Sequence, residues 1–168
     1  MWPLSPPWRD PLAASANIAI SSAGLRVRLV GESGRSIVFV HGLGASLRYW
    51  GTAYDQLAAQ ARLVFVDLLG FGGSEKPAAA RYHIAGHAER IADTLRECGA
   101  ERPLLVGHST GGIVAIALAA HELPESGVIT FGAPIFASED NARRHLRNLG
   151  LMERLMADRS PWAHRLCA

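Results

Sequence analysis

The stretch Pro103-Leu-Leu-Val-Gly107-His108-Ser109-Thr110-Gly111-Gly-Ile113-Val-Ala-Ile-Ala-Leu-Ala-Ala120 decides the fold. Its first part, Leu104–Val106, is apolar, short and without polar alternation, as expected of a strand buried on both faces. Its last part, Ile113–Ala120, is apolar all round, which suits a central buried helix. Between them the pattern G-x-S-x-G allows a turn too sharp for side chains at positions 107 and 111. A strand, a tight turn at Ser109 and a buried helix therefore follow one another within eighteen residues.

Working outward, further short apolar runs lie at Ile37–Val40, Leu63–Val66 and Val128–Phe131. Helical rhythm separates them. Leu47, Trp50, Tyr54 and Leu57 predict a helix over 47–60, and Ile84, Ala88, Ile91 and Leu95 predict another over 84–98. Asn17–Ser22 and Leu25–Val30 flank Ala23-Gly24 and read as an antiparallel hairpin, with Val27 and Leu29 alternating against Arg26 and Arg28. Hairpin followed by βαβαβαβ implies a doubly wound, mainly parallel α/β sheet. The expected organisation is a Pro-rich lead over 1–16, an α/β core over 17–136 and a polar helical region over 137–168.

Composition narrows the function classes. The chain has 168 residues, is nearly half hydrophobic and carries a formal charge of +2. That describes a packed domain rather than a disordered one. Lys76 is the only lysine, and no basic stripe interleaved with aromatics marks a nucleic-acid surface. Cys98 and Cys167 make no disulfide framework and no metal cluster. The lead, broken by Pro3, Pro6, Pro7 and Pro11, does not read as a signal peptide, and no apolar run reaches membrane-spanning length. A soluble, cytoplasmic protein is the expectation, with no nucleic-acid partner and no membrane span.

Two more motifs accompany the serine turn. His41-Gly42-Leu43-Gly44 ends the Ile37–Val40 run, and Asp67-Leu-Leu-Gly-Phe-Gly-Gly-Ser74 follows Leu63–Val66. Acyl transfer needs two donors aimed at a developing oxyanion, and the backbone N–H groups of Leu43 and Thr110 suit that task. The three motifs, in this order and spacing, resemble the α/β-hydrolase superfamily, in its branch of serine esterases, lipases, lactonases and carbon–carbon bond hydrolases. The resemblance runs from about Asn17 to Phe136 and weakly beyond. It implies Ser109 as nucleophile, Leu43 and Thr110 as the oxyanion hole, Asp67–Ser74 as a structural loop, and the region after Ala137 as the start of a helical cap. No metal, nucleotide or flavin site is visible in the sequence, so no cofactor is expected.

The same resemblance expects an acid and a histidine after the nucleophile, on later strands. Gly132–Phe136, where some members carry the acid, has no carboxylate. The fold therefore reads as truncated after about the sixth strand, with the acid and histidine in a missing C-terminal segment. The expected function is hydrolysis of an ester-like small molecule through an acyl-serine, incomplete in this chain. The alternative is a non-catalytic binding module or an inactive fragment. His41 reads as loop support, His108 as turned away from the serine, and Asp67 as a loop-stabilising carboxylate. His83 and His87, at i and i+4, lack a third ligand and read as a solvated helix face. Glu139 and Asp140 read as a helix start, and His121, His145 and His164 as surface residues. The Arg-rich tail reads as a cap helix in preference to a membrane-surface helix.

Overall fold

A computed structural model describes residues 17–80 and 82–148. Six strands form one sheet: β1 (Asn17–Ile20), β2 (Arg26–Val30), β3 (Arg35–Val40), β4 (Ala61–Val66), β5 (Leu104–His108) and β6 (Gly127–Phe131). Their order across the sheet is β1-β2-β4-β3-β5-β6. β1 and β2 form the expected antiparallel hairpin, β2 also runs antiparallel to β4, and β4, β3, β5 and β6 are mutually parallel. Helices α1 (Ile84–Glu97), α2 (Thr110–His121) and α3 (Glu139–Asn148) complete the described elements. The predicted continuation of α3 to Ala157, His164, the Pro-rich lead and Cys167 lie outside the described residues.

Strand alternation sorts the core into two layers. Val38, Val40, Val64, Val66 and Leu105 point to the face covered by α1 and α2, where they meet Ala88, Ile91, Leu95, Val114 and Leu118. Phe39, Leu63 and Phe65 point to the opposite face and pack with Leu47 and Trp50. Neither face of the central strands meets water, which is why their sequences run apolar without alternation.

The segment 47–60 departs from expectation. It forms two short 3-10 helices, Leu47–Trp50 and Asp55–Ala59, in place of one α-helix. Apolar spacing here is right for a helix, but Gly51, at φ +55° and ψ −135°, breaks the chain between them. Ser46 caps the first turn, and the Leu47 amide is held by the Asp67 carboxylate at 2.5 Å.

Arg28 also departs from expectation. It is fully buried rather than solvent-facing. Its guanidinium donates twice to the Asp55 carboxylate (2.9 and 3.0 Å) and once to the Gly51 carbonyl (2.8 Å), and it lies 4.0 Å over the Phe65 ring. A charge on that face is tolerable only because it is paired, hydrogen-bonded and stacked.

His87 is the third difference. His83 is exposed and caps α1, accepting from the Gly86 amide at 2.9 Å. His87, one turn on, is buried beside Ala88 and Ile91 on the inner stripe of the helix. Burial lowers its pKa to about 4, with the neighbouring histidines and the Arg90 guanidinium acting in the same direction. In an unfolded chain it would titrate near 6.5. The unfolded state therefore binds the extra proton between those values, and stability present above pH 6.5 is lost as pH falls toward 4. The expected loss is about 3 kcal/mol across that window. Urea titrations at a series of pH values should show it, and His87→Leu should flatten the profile between pH 6.5 and 4. An unchanged profile in the variant contradicts the assignment.

Candidate active site

At the carboxyl end of β5 the chain turns through Ser109 directly into α2. Ser109 has φ +53° and ψ −123°, one of two non-glycine residues with positive φ among those described. Such a conformation costs about 1–3 kcal/mol and persists only when its surroundings enforce it. Here the Ser109 amide donates to the Phe131 carbonyl at 3.0 Å, and the Ser109 carbonyl accepts from the Gly112 amide at 2.9 Å. The flanking glycines are a packing requirement. A Cβ on Gly107 would collide with the Gly111 carbonyl and the Gly112 backbone, and one on Gly111 with the carbonyls of Val40 and His41.

The loop after β3 is pressed against this turn. A Cβ on Gly42 would stand 3.0 Å from the Ser109 Cβ and 3.3 Å from His108 Nδ1, so a larger residue there would crowd the serine turn. Leu43 follows, its side chain exposed. The loop folds through a turn in which the Ala45 amide donates to the Gly42 carbonyl, while among the described residues the Leu43 amide donates no hydrogen bond. Thr110 is the first residue of α2, where an amide has no partner within the helix. Ser109, Gly42-Leu43 and Thr110 thus share one corner of the fold, at the positive end of the α2 dipole.

His41 and Asp67 hold that corner from beneath, both fully buried. His41 Nδ1 lies 2.7 Å from the Gly42 carbonyl, and Nε2 accepts from the Leu68 amide at 3.0 Å. One nitrogen donates and the other accepts, which is the bonding of a neutral imidazole. Burial lowers the His41 pKa, partly opposed by its bond to Gly42 and the charge of Asp67. Its 3.8 Å approach to Asp67 is therefore not an ion pair. Asp67 accepts from the amides of Leu47 (2.5 Å) and Gly73 (2.8 Å), with Arg26 at 3.9 Å. Both residues tie loops together, as their sequence contexts suggested.

The His108 ring lies in an aromatic stack, with its Nδ1 buried beside Gly42 and without a hydrogen-bond partner among the described residues. The ring lies 4.7 Å from Tyr49, nearly parallel, and 5.1 Å from Phe131, while Trp50 meets Phe131 edge-on. Sequence reasoning missed this stack, because positions 49, 108 and 131 become neighbours only through the pairing of β3, β5 and β6. His121 ends α2 at the far end from Ser109, and the exposed His145 of α3 lies 5.1 Å from the Phe136 ring. Glu139 and Asp140 open α3. Among the described residues no group of three metal-ligating side chains converges, and no helix is long and apolar enough to cross a membrane.

In a mainly parallel sheet, β5 thus delivers a strained serine to the N-terminus of α2, beside the glycine-rich loop that follows the neighbouring strand β3. The chain belongs to the α/β-hydrolase fold family, whose model matches residues 35–165. Among curated relatives, it is 36% identical over 107 residues to the 2-hydroxymuconate semialdehyde hydrolase of Pseudomonas sp. strain CF600, covering 60% of this chain and 37% of that protein. It is also 36% identical over 88 residues to a Burkholderia fluoroacetate dehalogenase, covering 50% of this chain and 29% of that protein. Among solved structures, the N-acyl homoserine lactonase AidH superposes with a TM-score of 0.69 at 22% identity, covering 84% of this chain and 52% of the lactonase. The chain spans well under half the length of these curated relatives and about half that of the lactonase.

Proposed function

We propose that this chain carries the nucleophile and oxyanion hole of a serine hydrolase that cleaves ester-like or related bonds through an acyl-serine intermediate. The observation that carries the reading is Ser109 itself: a non-glycine residue held at positive φ between β5 and α2, against Gly42. Strain of that kind at a half-buried turn, beside a glycine-rich loop and a helix N-terminus, supports a chemical role for the residue that carries it. The named relatives are a hydrolase, a dehalogenase and a lactonase, which supports hydrolytic chemistry on small molecules. Serine at position 109 favours acyl transfer over dehalogenation or epoxide opening, whose relatives attack with aspartate at this position.

In this mechanism Ser109 Oγ attacks the carbonyl carbon as a histidine takes its proton. The negative charge moves to the carbonyl oxygen, where the Leu43 and Thr110 amides receive it. Collapse expels the leaving group with the returned proton, and water then releases the acyl group by the same steps in reverse. His41 and His83 bond backbone groups, His87 is buried in the α1 stripe, His108 stacks against Tyr49 and Phe131, and His121 and His145 lie on α2 and α3, so we assign the base and its carboxylate to polypeptide outside the described residues. The core over 17–136 supplies the scaffold, and the polar helix from Glu139 begins a cap over the substrate.

The oxyanion assignment has a direct test in a form of the protein completed by the remaining hydrolase strands. Leu43→Ala keeps the backbone donor and should retain turnover of short activated esters within a few-fold. Leu43→Pro removes the donor and should lower kcat about a hundredfold with little change in KM. Equal kcat in the two variants sinks the assignment.

A further inference from the structure

The Arg28–Asp55 pair is better suited to fixing geometry than to adding stability. Buried ion pairs seldom outweigh apolar residues of the same size, because both charges lose their water. This one also leaves Arg28 Nε without a hydrogen-bond partner among the described residues, a further cost. What a guanidinium supplies and an apolar side chain does not is direction, since its planar fork dictates where its partners sit. Here the fork fixes two points of one segment, the Gly51 carbonyl and the Asp55 carboxylate. Those points lie at the break in 47–60, where apolar spacing favours one helix and the chain turns instead. A Cβ on Gly51 would meet nothing within 4 Å, so no close packing enforces the turn. It is held by the Arg28 bond to the Gly51 carbonyl and by the Gly51 amide on the Arg48 carbonyl. At its other end the Asp67 carboxylate holds the Leu47 amide. Arg48, Tyr49 and Trp50 are thus strung between two buried charged anchors. The half-exposed Tyr49 ring lies within 13° of parallel to His108, the residue before Ser109, and Trp50 backs it edge-on at 5.1 Å.

We propose that Arg28 is a positioning residue for the corner that carries Ser109: by holding Gly51 and Asp55 it keeps 47–60 broken and the Tyr49 ring laid on His108, as a wall beside the nucleophile. The inference rests on the serine-hydrolase reading for its effect on turnover, though not for the geometry. A 3-10 stretch inside a helical pattern is where hinges are found. Released from Arg28, this segment follows its apolar rhythm into a continuous helix. Because an α-helix rises about 1.5 Å per residue and a 3-10 helix about 2.0 Å, that conversion draws Tyr49 and Trp50 along the segment and off His108. Displacement of about 1 Å near reacting atoms is enough to cost roughly a hundredfold in rate.

The test replaces both charges at once, Arg28→Met with Asp55→Leu, so that no lone buried charge is left to unfold the chain. In the 168-residue chain, NMR of the histidine rings should show His108 moving to the shifts it takes in Tyr49→Leu, where the stack is gone. Circular dichroism in the helical band should deepen. Gly51→Ala disfavours the same turn from the backbone side and should reproduce both changes. In a chain joined to the remaining hydrolase strands, the double variant should lose about a hundredfold in kcat/KM for activated esters, chiefly in kcat. Parent-like His108 shifts in a double variant that melts cooperatively make the ion pair a structural contact only and overturn the proposal. If that variant does not melt cooperatively, Gly51→Ala decides, and parent-like His108 shifts there overturn it equally. Displaced shifts with parent-like turnover overturn it too. Failure of a fluorophosphonate to label Ser109 in the joined parent, with displaced shifts in the variants, instead removes the nucleophile and leaves Arg28 as the residue that places Tyr49.

Discussion

On the acyl-serine reading, Ser109→Ala in a chain joined to the remaining hydrolase strands should lower kcat for activated esters on the order of a million-fold, leaving only the residual rate that binding and an oxyanion hole provide. That loss corresponds to about 8 kcal/mol of transition-state stabilisation. It is large because alanine has no hydroxyl to attack the carbonyl, so the covalent route is removed outright. His108, the nearest titratable neighbour in sequence, is stacked between Tyr49 and Phe131, and His41 spends both ring nitrogens on backbone partners. Phosphonate labelling should vanish with the activity. A 168-residue chain lacking any restored strands should already show both at near-background level, since a serine hydroxyl without an adjacent base is a poor nucleophile. Robust Ser109-dependent turnover by that chain alone would place the base within it and return His145 and His164 to consideration. Retained turnover in Ser109→Ala would remove the acyl-serine mechanism altogether.

Much of this was legible in the sequence for a physical reason. Strands buried on both faces need unbroken apolar runs, so β3, β4 and β5 announce themselves within two residues of their ends; β6 carries the same kind of run and is found as a strand, but Val128, Ile129 and Phe131 are exposed among the described residues rather than buried. The serine turn is legible because glycine at 107 and 111 is dictated by backbone collisions, not by side-chain preference. What escaped depended on partners distant in sequence. Arg28 looked like the polar half of an alternating strand until Asp55 and Phe65 were found over the same face. His87 looked like a solvated helix residue because the three-and-four rhythm through Ile84, Ala88 and Ile91 left it just off the stripe, yet the stripe is wide enough to bury it. The 47–60 segment carried a valid helical rhythm, and a single backbone at positive φ overrode it. Local pattern reports burial well and reports who shares the burial poorly.

Gly111→Val destabilises the chain by about 4 kcal/mol or more, although substitution of a helical glycine should by itself be favourable. Valine is the better helix former by a few tenths of a kcal/mol, and it narrows the unfolded ensemble. Against that, even its Cβ would collide with the carbonyls of Val40 and His41, the residues that lead into the Gly42-Leu43 loop. Backbone atoms of a central strand cannot rotate aside as a side chain would, so β3 and α2 must move apart and core contacts are lost on both. A drop in melting temperature of roughly 8–16 °C follows for a chain of this size. Gly112→Ala is the internal control. Its Cβ would meet Ala133 Cβ at 2.9 Å and Thr130 Cβ at 3.2 Å on the side toward β6, and the Gly107 carbonyl at 3.3 Å, tight contacts but milder than those at Gly111. It should cost about 1 kcal/mol. The gap between two adjacent glycines then measures how tightly the serine turn is clamped against the loop from β3. Equal costs for the two would mean that the clamp is no tighter than ordinary helix packing, and that the strained backbone of Ser109 is held by its hydrogen bonds to Phe131 and Gly112 alone.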